Sequence, residues 1–189
     1  YVFIVLGFLF LIKKTPKYFL FWLVSVVFIQ FICFFEGFSK KRKQEFIVFH
    51  KSGKSIIGER KRGTLLVFHN LDSIKIKQEN ILLSYKIEEN SYLKYSSKIP
   101  NFFQYKDEQI LIVDSLGVYK VESLKDPIVI LQNSPKINLE RLIRSLKPKK
   151  IIADGSNYKS YIKRWKETCE HKKTPFYFTG KNGAYIISK

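Results

Sequence analysis

The chain has 189 residues, 46% of them hydrophobic and 26% charged, with a formal net charge of +18. An excess of Lys and Arg this large favours anionic partners: nucleic acid, phospholipid heads or acidic polymers. Two cysteines, Cys33 and Cys169, exclude a disulfide framework, and their settings in an apolar run and a helix-like run argue against a bridge between them. The other reading of the charge is compositional. The chain is rich in Ile, Lys, Phe, Tyr and Asn, and its lysines are scattered rather than gathered in one tract.

The first 35 residues are almost wholly apolar, interrupted by Lys13-Lys14-Thr15-Pro16-Lys17. Residues 18–35 carry no charge, and 18 residues fall within the roughly 17–25 that a helix needs to cross a bilayer. A bilayer core offers no water to the backbone, so such a segment is helical there. Residues 1–12 are too short to span alone, and the chain begins with Tyr1. They read as the end of an earlier spanning helix, so that 1–38 is a membrane hairpin closing the membrane region of a larger protein. A signal peptide would have its basic residues first and small residues at its end. Here the basic residues lie midway and the end is Phe34-Phe35-Glu36. The short-loop charge rule places Lys13, Lys14 and Lys17 in the cytoplasm and the following domain outside it. Lys40-Lys41-Arg42-Lys43 pulls the other way, but long domains translocate largely regardless of charge.

Residues 39–189, with a net charge of +16, suffice for one α/β domain after a basic linker at 39–44. Residues 46–50 read as a strand, followed by a turn at 51–54. Residues 55–57 and 63–69 read as further strands bounded by Gly and charge. Ile74, Ile81, Leu82 and Tyr85 have helical spacing, predicting one helix over 73–87 capped by Asp72 or Ser73. Residues 88–100 read as loop. Residues 101–105 and 109–114 form a predicted hairpin, and 127–131 a strand buried on both faces. The last third alternates: helix 138–146 stopped by Pro148, strand 150–153, helix 156–170, then strands 176–179 and 184–187. The composition Gly180-Lys181-Asn182-Gly183 predicts a hairpin between those last two strands.

Several motifs then stand in a telling order. Asp126-Pro127-Ile128-Val129-Ile130-Leu131-Gln132-Asn133-Ser134-Pro135 leads into the helix at Leu139. Leu146-Lys147-Pro148 and Ile151-Ile152-Ala153-Asp154-Gly155-Ser156-Asn157 follow, and Gly180-Lys181-Asn182-Gly183-Ala184-Tyr185-Ile186-Ile187 comes near the end. This order resembles the C-terminal domain of ComEC-family competence proteins, the inner-membrane channels for DNA uptake. The resemblance implies a last spanning helix leading into a layered α/β domain of metallo-β-lactamase type. The family pattern also holds a His-x-His-x-Asp-His cluster and a later His-His-Gly-Ser, whose side chains ligate the metal that activates water for phosphodiester cleavage. This chain has three histidines, His50, His69 and His171, none paired at ligand spacing. Gln132-Asn133-Ser134-Pro135 stands where His-His-Gly-Ser would fall, and Tyr158-Lys159-Ser160 where a late Gly-His-Pro would fall.

The expectation is therefore a degenerate, non-catalytic domain with no cofactor. Its depleted site would comprise Asp114, Gln132, Asn133 and Asp154. Asp114 and Asp154 end predicted strands, where α/β folds gather sites; the competing reading is that they cap turns or helices. The segment 53–63 does not fit a phosphate-loop pattern, and Ser134 and Ser156 lack an elbow motif. His50 and His69 end neighbouring predicted strands and read as a surface pair or as structural residues. Lys159, Lys163, Arg164 and Lys166 alternate with Tyr158, Tyr161 and Trp165. That pattern fits either a single-stranded DNA contact or an amphipathic helix with its aromatics in the core.

The functional expectation is the C-terminal part of a multi-pass inner-membrane protein for DNA uptake in transformation, with its domain extracytoplasmic. Its partners would be single-stranded DNA bound weakly and without sequence preference, membrane lipid, the rest of the channel polypeptide and other competence proteins. Two alternatives stand beside it: a membrane-anchored metal-dependent nuclease with a depleted site, and a structural cap that touches no DNA.

Overall fold

In the computed structural model, which describes residues 2–13, 16–119 and 124–188, the apolar start forms α1 (Val2–Lys13) and α2 (Pro16–Arg42). Pro16 suits the first helical position, where its missing N–H costs nothing. Lys14 and Thr15 of the expected turn lie outside the described residues. The stretch Pro16–Phe35 has a mean hydropathy of 2.3 and none of it is buried. It is long and apolar enough to cross a membrane. A Cβ added at Gly7 of α1 would sit 3.1 Å from the Trp22 ring nitrogen of α2, so the helices approach closely there. The helix runs on to Arg42, so most of the expected basic linker is helical.

The chain divides into two compact units, Tyr1–Lys43 and Gln44–Lys189. The second opens with β1 (Glu45–Lys51), β2 (Lys54–Lys61), β3 (Thr64–His69), α3 (Ser73–Lys77), α4 (Asn80–Glu88) and β4 (Tyr92–Ser96). It continues with β5 (Phe102–Tyr105), β6 (Glu108–Val113), β7 (Ile128–Leu131), α5 (Leu139–Leu146), β8 (Lys150–Ala153) and α6 (Lys159–His171). It closes with β9 (Phe176–Phe178), α7 (Thr179–Asn182) and β10 (Tyr185–Ser188). The strands form two five-stranded sheets, ordered β10-β1-β2-β3-β4 and β5-β6-β7-β8-β9. In the second sheet β6, β7, β8 and β9 are parallel, with α5 and α6 as crossovers.

Strand alternation sorts the apolar residues into three cores. Phe46, Val48, Ile57 and Phe68 of the first sheet meet Ile110, Ile112, Ile130 and Ile152 of the second. The alternate residues Ile47, Phe49, Ile56 and Val67 pack on Ile76 and Leu82 of α3 and α4. Val113, Leu131 and Ala153 pack on Leu142 of α5 and on Ile162 and Trp165 of α6. The unit is thus a helix–sheet–sheet–helix sandwich, an α/β fold in four layers.

Several local expectations change. The predicted helix 73–87 breaks at Gln78-Glu79 into α3 and α4, and Ile74, placed on its apolar stripe, is 75% exposed while Ile76 is buried. The loop at 88–100 contains β4, paired parallel to β3. The short strand at 55–57 extends over Lys54–Lys61. The hairpin across 180–183 does not form. β9 pairs with β8 in one sheet and β10 with β1 in the other, and 179–182 is a helical turn. The Tyr177 phenol steers this crossover by donating toward the carbonyls of Asn182 and Ala184, at 2.9 and 3.2 Å.

Candidate functional site at the strand ends

Parallel strands β6, β7 and β8 finish at one end of the sandwich, where Asp114, Gln132 and Asp154 follow their last residues. The registers Val113↔Leu131 and Leu131↔Ala153 set these three side by side. Leu131 and Ala153 face the α5–α6 layer, so alternation turns Gln132 and Asp154 toward the first sheet. That sheet contributes His50 and Ser55, directly paired across β1 and β2. The result is a polar layer laid over the inter-sheet core.

Asp154 is wholly buried. Its Oδ1 accepts from the Ser156 N–H (3.0 Å), the Ser156 hydroxyl (2.5 Å) and the Asn157 amide (3.1 Å). Burial pushes its carboxyl up to about 6, against the pull of the Ser156 hydroxyl and N–H and of the nearby Ser55 hydroxyl. No hydrogen bond of normal geometry joins Ser55 to it. The Ser55 hydroxyl, Asp154 Oδ2 and Gln132 Nε2 are all buried without a partner. Asp154 shapes a turn rather than capping α6, which starts at Lys159 with Tyr158 as its N-cap. Asp114 behaves likewise, its Oδ1 accepting the Leu116 N–H at 3.0 Å.

Asn157 ties the loops together. Its amide donates to the carbonyls of Leu131 (2.6 Å) and Asp154 (3.1 Å), and its oxygen accepts the Ser134 N–H at 2.8 Å. The Ser134 hydroxyl accepts the Tyr158 N–H at 2.8 Å, and the Ser156 hydroxyl accepts the Asn133 N–H at 2.8 Å. Asn133 and Ser134 are both left-handed, with φ of 54° and 51°. Two consecutive non-glycine residues in that region are uncommon and store strain.

The two sheets are latched here as well. The Gly53 N–H donates to the Gly155 carbonyl at 2.7 Å. A Cβ on Gly155 would fall 2.2 Å from the Lys51 carbonyl oxygen, so only glycine fits. The Asn70 amide reaches Asn133 at 3.4 Å and its oxygen accepts the Ser55 N–H at 3.0 Å. His50 Nδ1 lies 3.1 Å from the Thr179 hydroxyl.

His50 and His69 do not form a surface pair. His69 is buried on the helical face beside Tyr95, with Nδ1 3.1 Å from the Leu71 carbonyl. Among the described residues no three of His, Cys, Asp and Glu converge to hold a metal ion. The side chains present therefore do not fit the metal centre that the family pattern implies.

Lys159, Lys163, Arg164 and Lys166 are all exposed on α6, whereas Trp165 is buried and Tyr161 half-buried. The Arg164 guanidinium stacks over Tyr161 at 4.7 Å, and Lys166 faces Glu170 at 3.5 Å. The charges thus share no common face with Trp165, whose ring serves the core. Taken singly, Ser55, Asn70, Asn157 and Thr179 carry no signal of a site in the sequence. They are ordinary polar residues, and only the convergence of loops gives them a role. Asp154-Gly155-Ser156-Asn157 was the one local signal.

The family model described as the ComEC C-terminal domain matches residues 46–189. The chain belongs to the ComEC family. Neither the curated proteins nor the solved structures offer a match. ComEC membership links the chain to DNA uptake in competence and to the membrane, and α2 adds one helix of spanning length.

Proposed function

We propose that this chain is the C-terminal part of a multi-pass ComEC channel, whose domain is a non-catalytic relative of the metallo-β-lactamase fold. The observation that carries this is the strand-end layer. The four-layer sandwich supports this reading, and at the strand ends hydrogen-bonded Ser and Asn side chains fill the layer while no three metal-ligating side chains converge among the described residues. Ser134 adds support. It is left-handed, and it stands where the family pattern has the Gly of His-His-Gly-Ser. The domain sits on the extracytoplasmic side and contacts single-stranded DNA weakly through phosphates, beside lipid, the rest of the channel and other competence proteins.

The test is incubation of the full chain in nanodiscs with single- and double-stranded DNA plus Mg²⁺, Mn²⁺ or Zn²⁺. No cleavage above a metal-free control is expected. Metal-dependent cleavage abolished by Asp114→Ala or Asp154→Ala would establish the nuclease reading instead.

A further inference from the structure

Four segments meet at the strand-end layer: the β1–β2 turn, the loop after β7, the loop after β8, and α7. They are joined by the Gly53–Gly155 bond, the Ser134–Asn157 and Ser134–Tyr158 bonds, and the His50–Thr179 contact. Each carries or abuts an exposed lysine: Lys54 at the start of β2, Lys136 after β7, Lys159 at the start of α6 and Lys181 in α7. Five other lysines of the unit are ion-paired. Lys51 pairs with Glu79, Lys61 with Glu59, Lys149 with Glu108, Lys166 with Glu170 and Lys172 with Glu140. Among the described residues none of the four has an acidic partner at ion-pair distance. Glu79 is held by Lys51, which pairs with Lys54 across β1 and β2, and Asp154 is buried beneath the layer.

We infer that the rim formed by Lys54, Lys136, Lys159 and Lys181 is the surface on which this domain holds the DNA phosphate backbone. This rests on the DNA-contacting reading above and makes it specific. The partner is a polyanion with repeated phosphodiesters, because lysines on short linked loops offer point charges without the planar, bidentate fork of arginine. Exposed Asn133 and Asn182 add neutral hydrogen-bonding groups on the same loops. The outer face of α6 is the rival surface. Its Lys163, Arg164 and Lys166 are interspersed with Glu167 and Glu170, so its field is mixed.

The experiment uses the full chain in zwitterionic nanodiscs and a labelled single-stranded oligonucleotide, read by fluorescence anisotropy across a salt series. Two variants of equal charge change are compared, Lys54→Gln/Lys159→Gln/Lys181→Gln and Lys163→Gln/Arg164→Gln/Lys166→Gln. All six positions are exposed, and circular dichroism confirms that both variants keep the fold. The rim variant should lose on the order of tenfold in affinity at low salt and about 2 units of log–log salt slope, since each single-strand phosphate contact contributes roughly 0.7. The α6 variant should change by less than about threefold by the same counting. Equal losses, or a larger loss in the α6 variant, would overturn the rim while leaving the DNA reading intact. No binding by the parent chain at low salt would overturn both. A loss appearing only in nanodiscs with anionic lipid would assign the rim to headgroups and overturn the proposal.

Discussion

Two buried charged clusters in the same unit solve the same problem in opposite ways. On the helical side of the first sheet, Arg60 is fully buried between Glu45 and Glu89. Its Nη1 lies 2.5 Å from Glu89 and 3.5 Å from Glu45, and Nη2 donates to the Glu89 carbonyl at 3.0 Å. The Tyr85 phenol closes the ring by donating to Glu45 at 2.7 Å. At the strand ends Asp154 is equally buried but pairs with no cation among the described residues, and only neutral donors serve one of its oxygens. In the first cluster a buried cation sits between two carboxylates and ties β1 and β2 to α4. The second leaves the carboxyl raised toward neutrality. A buried ion pair costs heavily when broken, whereas a lone buried carboxylate costs while intact.

The largest effect should come from breaking the ion-paired cluster. Arg60→Met leaves two carboxylates without their cation and should destabilise the unit by about 3–5 kcal/mol, read as a lower urea midpoint of the full chain in detergent. A loss under about 1 kcal/mol would show that Tyr85 and solvent satisfy the carboxylates without Arg60.

An intermediate effect should come from the neutral network around the lone acid. Asn157→Ala removes donors to the Leu131 and Asp154 carbonyls and the acceptor for the Ser134 N–H. Leaving these buried groups unsatisfied should cost about 2–3 kcal/mol. Faster amide exchange should be confined first to the loops after β7 and β8. Uniform destabilisation without local exchange would deny Asn157 its role as the tie.

The smallest effect should have the opposite sign. The Asp154 carboxyl is raised from 3.8 to about 6, so between those values the folded chain holds a proton that the unfolded chain has lost. Its contribution to stability therefore falls as pH rises through that window, and the penalty is fully present above about pH 6. Asp154→Asn keeps an acceptor for Ser156 and Asn157 and turns its amide toward the Ser55 hydroxyl. It should be more stable than the parent at pH 7 by about 1–3 kcal/mol, with the gap closing toward pH 4. Urea midpoints at pH 4, 5, 6 and 7 measure this, and a variant less stable at every pH would contradict it.

The two sheets differ in how far the sequence discloses them. In the second sheet, Ile128–Leu131 and Ile151–Ala153 are apolar runs with helices between them, and Asn138 caps α5 by accepting the Arg141 N–H. Such βαβ units carry local signals: apolar strands, amphipathic helices and stops such as Pro148. The first sheet is closed by partners far apart in the chain. β10 pairs with β1, and β4 reaches β3 only across α3 and α4. Nothing local marks Tyr92–Ser96 as a strand, and Gly180–Gly183 has hairpin composition although its flanking strands go to different sheets. The site divides the same way. Asp114 and Asp154 were visible as strand-end acids, while Asn157, Ser134 and Gly155 take their roles only from loops brought together by folding.

The sequence by itself determined the apolar span at 18–35, the parallel α/β alternation of the last third, the shortage of histidine ligands and the family. Each is a property of neighbouring residues or of composition, and composition and short-range periodicity survive without knowledge of contacts. Tertiary structure decided that the last strand crosses to the other sheet, that Arg60 is paired and Asp154 is not, and that four scattered lysines share one rim. These depend on which segments meet, and that is set by burying the two faces of each sheet at once, a condition that no single window of sequence contains.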